Sequence, residues 1–468
     1  MSHAFAARPG AASQQTEPVT VKQQPASGSG IAGFYNTIAA HRFLFPTLVF
    51  LVHFLIVQVA ATVAYVYATS AKSSGPYESS LGPPKDMSGF WANFVGPLRL
   101  WDGLWYKQIA EHLYSFGDAN AAFWPLLPWV MRYGHDATGL EYEVVGYLFV
   151  NLCFLAALIV LYQLIPIDFS NAVARRTLWG LALFPTSLFF TAVYTEAPFL
   201  LFAALCLLCA RKGQWGAAGV VGLLAALTRS QGIMLLAPMA VLFLNQYKFN
   251  IRKWFPNIFL AALPLLGPII FGWRLEKNGY SWRAFIDVQG QWNRASAMPW
   301  KTFECATRGC TLIVDAYNKK IPYLARGDDW TWLHELIKHP SWNLIAGTSW
   351  PAGIVHPAFA NWRDAVARGD TLELVSTLLF IGLAIVGLFK LPLWMSAFVW
   401  PPLIVPLFQP SSVHPLMSMP RFGIVLFPLF IVLAMLLKGT WIRIAATVFS
   451  VGLLILLTMQ FANWYWVS

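Results

Sequence analysis

The sequence predicts an all-α, polytopic membrane protein, and three observations predict it. Of 468 residues, 57% are hydrophobic and only 11% charged, whereas a soluble domain carries about 25% charged residues. Apolar stretches fit to cross a ~30 Å hydrocarbon core recur along the whole chain. Basic residues then fall at alternate connections between those stretches, as cytoplasmic loops require.

The spans lie near residues 43–68, 144–166, 177–193, 197–210, 215–228, 232–246, 255–273, 371–389, 391–408, 421–437 and 443–464, about eleven helices. Before the first span, residues 1–40 form a cytoplasmic tail whose Ala, Ser, Gln, Gly and Pro content predicts disorder. The tail lacks the apolar centre of a signal peptide, so the first span is expected to be retained. Residues 41–468 form the membrane domain. Arg8, Lys22 and Arg42 precede the first span, and Arg175/Arg176, Arg211/Lys212, Lys248/Arg252/Lys253, Lys390 and Lys438/Arg443 follow at every second connection. With these in the cytoplasm, the C-terminal "NWYWVS" becomes an aromatic anchor on the far side. The net charge of +11 is scattered in short clusters between apolar runs. It is therefore assigned to topology and membrane lipids, with no nucleic acid expected.

Two long hydrophilic regions face outward, at about 69–143 and 274–370. They carry "FWPLLPWV", "QGQWNRASAMPW" and "SWNLIAGTSWPAGIVHPAFANW", expected to lie on the membrane surface or to cap a lateral opening; plain interfacial anchoring competes for any single Trp. The stretch from Trp215 to Leu244 is interrupted by "TRSQG" and reads as two short spans or one broken helix. Cys153, Cys206 and Cys209 lie in apolar runs and read as packing residues. Cys305 and Cys310, in "CATRGC", are placed to close a disulfide in an oxidising compartment, with two free thiols as the alternative.

Four polar points stand where a membrane makes them expensive. In "RLWDGLWYKQIAEHLY", Asp102 opens an amphipathic interfacial helix between Trp101 and Trp105, as a carboxylate for chemistry or as an N-cap accepting backbone N–H bonds. Glu196, in "YTEAPFLLF", sits at an outer span end, as a functional group or as a favourable charge at a helix N-terminus. Arg229, in "LTRSQGI", needs a partner: a lipid phosphate, or a structural pair with Glu196 or Asp102. Arg421, near His414 and Ser418 in "SSVHPLMSMPRFGIVLFP", suits an anion, with snorkelling as the alternative. Together these residues suit a site where a phosphate-linked sugar meets a hydroxyl: a carboxylate accepts the hydroxyl proton and arginines hold the departing phosphate. No glycine-rich phosphate loop, HExxH or GxSxG pattern is present.

The ordered set "WDGLWYKQIAEHLY…AFWPLLP", "FPTSLFFTAVYTEAPFLLF", "LTRSQGI" and "SMPRFGIVLFPLF" resembles the GPI mannosyltransferase 2 (PIG-V-like) family of integral-membrane GT-C glycosyltransferases, over roughly residues 40–460. The resemblance implies a GT-C-like bundle. It implies transfer of mannose from polyprenyl (dolichyl) phosphate mannose to a lipid-linked or glycan acceptor on the non-cytosolic face. Asp102 is then the expected catalytic base, with Glu196, Arg229, Arg421, His414, Trp101 and Trp105 expected to bind donor or acceptor, and with no metal or other cofactor. The membrane is the plasma membrane in a prokaryote and the endoplasmic reticulum in a eukaryote, and a partner subunit stays open. Leu113 stands where the family usually has Gly, and Trp124 where it more often has Phe, which leaves the acceptor open. A transporter or flippase of lipid-linked sugars is the competing reading; it would use the same arginines but need no base, and it would be favoured by inverted repeats.

Overall fold

The computed structural model describes residues 41–66, 89–115, 118–248, 250–308, 311–314, 320–323, 369–411 and 414–464, with the single residues 87 and 467. The expected tail, the "SWNLIAGTSWPAGIVHPAFANW" segment and Cys310, and with it the expected disulfide, lie outside the described residues. Arg42–Ser468 forms one compact unit. The helices used below are α1 (Leu44–Val66), α2 (Asp102–His112), α3 (Leu126–Thr138), α4 (Tyr142–Leu164), α5 (Asn171–Ala182), α6 (Glu196–Arg211), α7 (Trp215–Thr228), α8 (Leu236–Tyr247), α9 (Leu266–Lys277), α10 (Pro299–Arg308), α11 (Gly369–Lys390), α12 (Leu393–Ile404), α13 (Met419–Ile424), α14 (Phe427–Leu436) and α15 (Thr440–Ala462). The strands β1 (Thr311–Val314) and β2 (Lys320–Tyr323) form one antiparallel hairpin, with Thr311 opposite Tyr323. The protein is otherwise helical among the described residues, an all-α integral membrane protein.

Each expected span falls on helical structure, but the count of eleven full crossings is not what the geometry displays. Among the described residues four stretches are long and apolar enough to cross a membrane alone: Leu44–Val66, Tyr142–Ile167, Leu372–Lys390 and Thr440–Ala462. The remainder are short or broken, and proline explains most of the breaks, because it removes an N–H donor and clashes with the preceding turn. In the stretch 177–193, α5 ends at Ala182 just before Pro185, and the chain continues through a buried 3-10 turn, Ser187–Phe190. Buried side chains satisfy the backbone this frees: His53 of α1 contacts the Ala182 carbonyl at 2.6 Å, and Asn151 of α4 donates to the Thr191 carbonyl at 3.2 Å. Around Pro256 and Pro264 the expected span 255–273 likewise splits into short pieces before α9.

The segment interrupted by "TRSQG" is resolved as two short arms. Trp215 at the start of α7 donates through Nε1 to Gln246 Oε1 near the end of α8, at 3.0 Å, so the chain doubles back. Arg229 is extended at the turn (φ −156°, ψ 154°). Gly232 lets the returning chain touch α7, since a Cβ there would stand 2.3 Å from the Ala225 carbonyl oxygen. Helices α6 and α7 are also antiparallel, joined at Gly213 in the left-handed region (φ +72°). Their arms of 16 and 14 residues bring Glu196, first in α6, and Arg229, just past α7, to one level.

The two ends of the bundle differ in chemistry. At one end Arg211 pairs with Asp168 at 2.7 Å and stacks over Trp394 at 5.8 Å, which brings the ends of α6 and α4 beside the start of α12. Lys212 and Lys390 flank the same elements in sequence. At the other end α1 closes against α15 through Asn463, which donates to the Ala64 carbonyl at 3.5 Å, and Trp464 packs on Trp101. The helix bearing Asp102 lies at that second end.

Candidate active site

Helix α2 is pinned at both ends before any reactive group is considered. Ahead of it, buried Arg99 donates to Glu143 in the first turn of α4 at 2.6 Å, and Lys107 lies 3.8 Å from the same carboxylate. Behind it, Arg132 of α3 donates to the Ala110 and Glu111 carbonyls at 3.2 and 2.9 Å, satisfying acceptors that a helix end leaves open. Trp101 precedes Asp102 at φ +59°, a conformation that costs a bulky residue on the order of 1–3 kcal/mol. Its ring is buried against Trp464, with centroids 5.7 Å apart. That strained residue occupies the N-cap and makes no side-chain cap bond. Asp102 is therefore the first helical residue and not the N-cap, and its carboxylate turns to an arginine instead.

The arginine is Arg421, in the short helix α13. Its Nη1 donates to Asp102 Oδ2 at 2.6 Å and its Nε to Glu196 Oε1 at 2.8 Å. Arg229 Nη1 comes within 2.7 Å of the same Glu196 oxygen, an ion-pair contact without hydrogen-bond alignment. The order is Asp102, Arg421, Glu196, Arg229, alternating in sign. Aromatic faces back both guanidinium groups: Arg421 lies 4.6 Å from the Tyr194 ring centroid and Arg229 lies 5.3 Å from that of Phe422. Tyr194 also accepts from the Asp102 backbone N–H at 3.2 Å.

This network opens on a cavity of about 570 Å³, within the ~300–1,000 Å³ range of small-molecule sites. Asp102, Arg229 and Arg421 line it, joined by Arg294, and Asp102 is the one acid among the described lining residues. Asp102 is 15% exposed at its side chain, and only Oδ2 of its two oxygens is engaged among the described residues. Glu196 is fully buried and does not line the cavity. It stands behind the arginines and contacts both, whereas the sequence reading expected Glu196 to bind donor or acceptor. Burial pushes the Tyr106 phenol up from its ordinary pKa, and the nearby Asp102 and Glu196 charges push the same way. A protonated phenol therefore lines the cavity beside Asp102.

Three other expected binding residues, Trp101, Trp105 and His414, do not line the cavity. Trp101 packs on Trp464, and Trp105 stacks on Phe123 with centroids 5.6 Å apart, so neither walls the cavity. Phe123, Trp292 and Tyr106 do. Their aromatic spacing gave no indication of which ring faces inward, because α2 turns from a strained Trp101. His414 lies in the turn before α13, where its carbonyl accepts from Met417 N–H at 2.9 Å, and it does not line the cavity.

Two lining residues were passed over. Arg294 sits in "QGQWNRASAMPW", a segment read only for its aromatics. Gln231 follows Arg229 in "TRSQG"; it is 4% exposed, and neither its amide nitrogen nor its amide oxygen has a partner among the described residues. An unpaired buried amide on a cavity wall is suited to a polar ligand. Among the described residues no three His, Cys, Asp or Glu side chains come together as a metal cage, and the two acids of the network are already engaged by arginines.

Residues 39–251 match the model of the mannosyltransferase (PIG-V) family. A "GPI mannosyltransferase 2" of Drosophila melanogaster is 33% identical over 118 residues, which cover 22% of this chain and 25% of that relative. The chain thus matches about a quarter of that relative's length. Among solved structures, ArnT from Cupriavidus metallidurans bound to undecaprenyl phosphate aligns with 81% of this chain and 77% of its own, at 14% identity and a TM-score of 0.35.

Proposed function

We propose that the protein, whose residues 39–251 match the model of the mannosyltransferase (PIG-V) family, is a GT-C-type membrane glycosyltransferase. It transfers mannose from polyprenyl-phosphate mannose to a hydroxyl of a lipid-linked or glycan acceptor. The observation that carries this reading is one cavity lined by three arginines and a single carboxylate, with Glu196 locking two of those arginines from behind. Such a lining suits an anion beside a proton acceptor. A membrane-level cavity suits a donor whose isoprenoid tail stays in the bilayer.

In the reaction, the acceptor hydroxyl oxygen attacks the anomeric carbon as its proton passes to Asp102 Oδ1. The bond between that carbon and the phosphate oxygen breaks, and polyprenyl phosphate leaves with the electron pair. Its new charge faces Arg421, Arg229 and Arg294, which stabilise it in a site of restricted water. Arg421 contacts Asp102 directly, so a phosphate that draws the guanidinium toward itself also releases the carboxylate for proton transfer. The cavity end is the non-cytosolic one, because the basic clusters gather at the opposite end of the bundle.

The test supplies purified protein in lipid with labelled polyprenyl-phosphate mannose and membrane extract from its own source, and compares wild type with Asp102→Asn. Wild type is expected to transfer mannose. The variant is expected to lose about 10²–10⁴ in rate while still binding the donor, the usual contribution of a general base. Transfer by the variant at the wild-type rate would remove Asp102 as the base. Donor movement across the bilayer without transfer would favour the flippase.

A further inference from the structure

A second cavity lies at the end of the bundle remote from Asp102, and no step proposed above uses it. It has a volume of about 570 Å³ and is bounded by α5, α14 and α15. Residues Arg176, Trp179, Gly180 and Leu183 supply one wall at helical spacing, Phe430, Leu433 and Leu437 the floor, and Arg443, Ile444 and Val448 the opposite wall. The wall helices run parallel: Ser450 of α15 donates to the Leu183 carbonyl at the end of α5, at 2.6 Å. Seven residues back from that bond on each helix stand Arg176 and Arg443. Two turns of helix, ~10 Å, thus separate a pinned apolar end from an end bearing two arginines.

The groove is apolar for its length, basic at one end, and without an acid among its described lining residues. Its wall is open to the bilayer: Val448 is 67% exposed, and the membrane stretch Thr440–Ala462 is only 22% buried within the protein. The groove has room beside Gly180, where a Cβ would meet only Phe430, at 3.9 Å. Arg443 is held at the rim by bonds from Nη1 and Nη2 to the Lys438 carbonyl and Thr440 Oγ1, at 3.0 and 3.1 Å. An acyl chain matches the apolar run and a phosphate the paired guanidinium groups.

We propose that this groove binds one anionic phospholipid of the surrounding leaflet, its acyl chain between α5 and α15 and its phosphate on Arg176 and Arg443. The site is separate from the donor cavity and lies at the opposite membrane level. Whole protein in nanodiscs holding equal amounts of phosphatidylglycerol and phosphatidylcholine with identical chains is released into the mass spectrometer, and the retained lipids are counted. Wild type is expected to retain phosphatidylglycerol preferentially. Each change, Arg176→Gln or Arg443→Gln, is expected to cut that preference about fivefold, and the pair about 25-fold, from ~1 kcal/mol for each basic residue at the surface. Gly180→Leu fills the groove while keeping both arginines, and it is expected to abolish retention of the bound lipid. Equal retention of both lipids by wild type, or an unchanged preference in the folded double variant, would overturn the proposal.

Discussion

Replacing Glu196 with Gln tests the network through its buried member. In the wild type two carboxylates face two guanidinium groups, so the four-residue chain is formally neutral. Gln keeps the shape and one acceptor oxygen but leaves the network at +1, with Arg229 having lost its acidic contact. Leaving a buried charge unpaired costs ~3–5 kcal/mol, so the unliganded variant is expected to inactivate faster on heating. A bound phosphate narrows that gap. With the phosphate about 8 Å from the former carboxylate, across one guanidinium, removing that negative charge favours the anion by ~2 kcal/mol at an effective dielectric of about 20. Polyprenyl phosphate is then expected to bind about 30-fold tighter to Glu196→Gln than to wild type. At a ligand concentration of about ten times the wild-type Kd, binding would stabilise wild type by ~1.4 kcal/mol and the variant by ~3.4 kcal/mol. The assay is the rate of thermal inactivation with and without polyprenyl phosphate, alongside equilibrium binding. A variant as stable as wild type without ligand, and protected to the same degree with it, would refute the reasoning.

Further expectations follow from single residues. Gln231→Ala removes two unpaired buried amide atoms, so unliganded stability should hold or rise while donor or acceptor affinity falls about 3- to 10-fold, the worth of one net hydrogen bond; binding isotherms on both ligands check this. Gly232→Ala forces a Cβ to 2.3 Å from the Ala225 carbonyl oxygen, and overpacking of this kind costs ~1–3 kcal/mol, read as a lowered midpoint of thermal unfolding. Arg421→Lys keeps a charge but cannot offer two fixed donors to Asp102 and Glu196; transfer should fall well below wild type, and activity equal to wild type would show that the fork is unnecessary.

The sequence made the expensive residues visible, because a charge in an apolar run needs a reason. Asp102, Glu196, Arg229 and Arg421 could each be picked out this way, although they span more than 300 positions. Helical placement was legible from apolar run length, and proline marked where runs break. Contact partners were not legible. Periodicity cannot say that Glu196 lies behind two arginines, since that depends on α6 and α7 being antiparallel arms of near-equal length. Nor can it say that Trp101 adopts a positive φ, which moves the cap by one residue and sends that indole toward Trp464. Arg294 and Gln231 escaped notice for a plainer reason: both sit beside stronger signals, the tryptophans in one case and Arg229 in the other.

The alternating order of the four charges also constrains how the protein can diverge. Any single change of sign in the chain from Asp102 to Arg229 strands a buried charge, so these positions are expected to drift jointly or remain fixed. Three of them fall inside the matched span 39–251, and Arg421 falls outside it. A relative recognised by that span alone can therefore be screened at one further position. An arginine aligned with Arg421 marks an intact circuit, while a neutral residue there predicts a compensating loss at the position of Asp102 or Glu196, and with it a lineage that has left this chemistry.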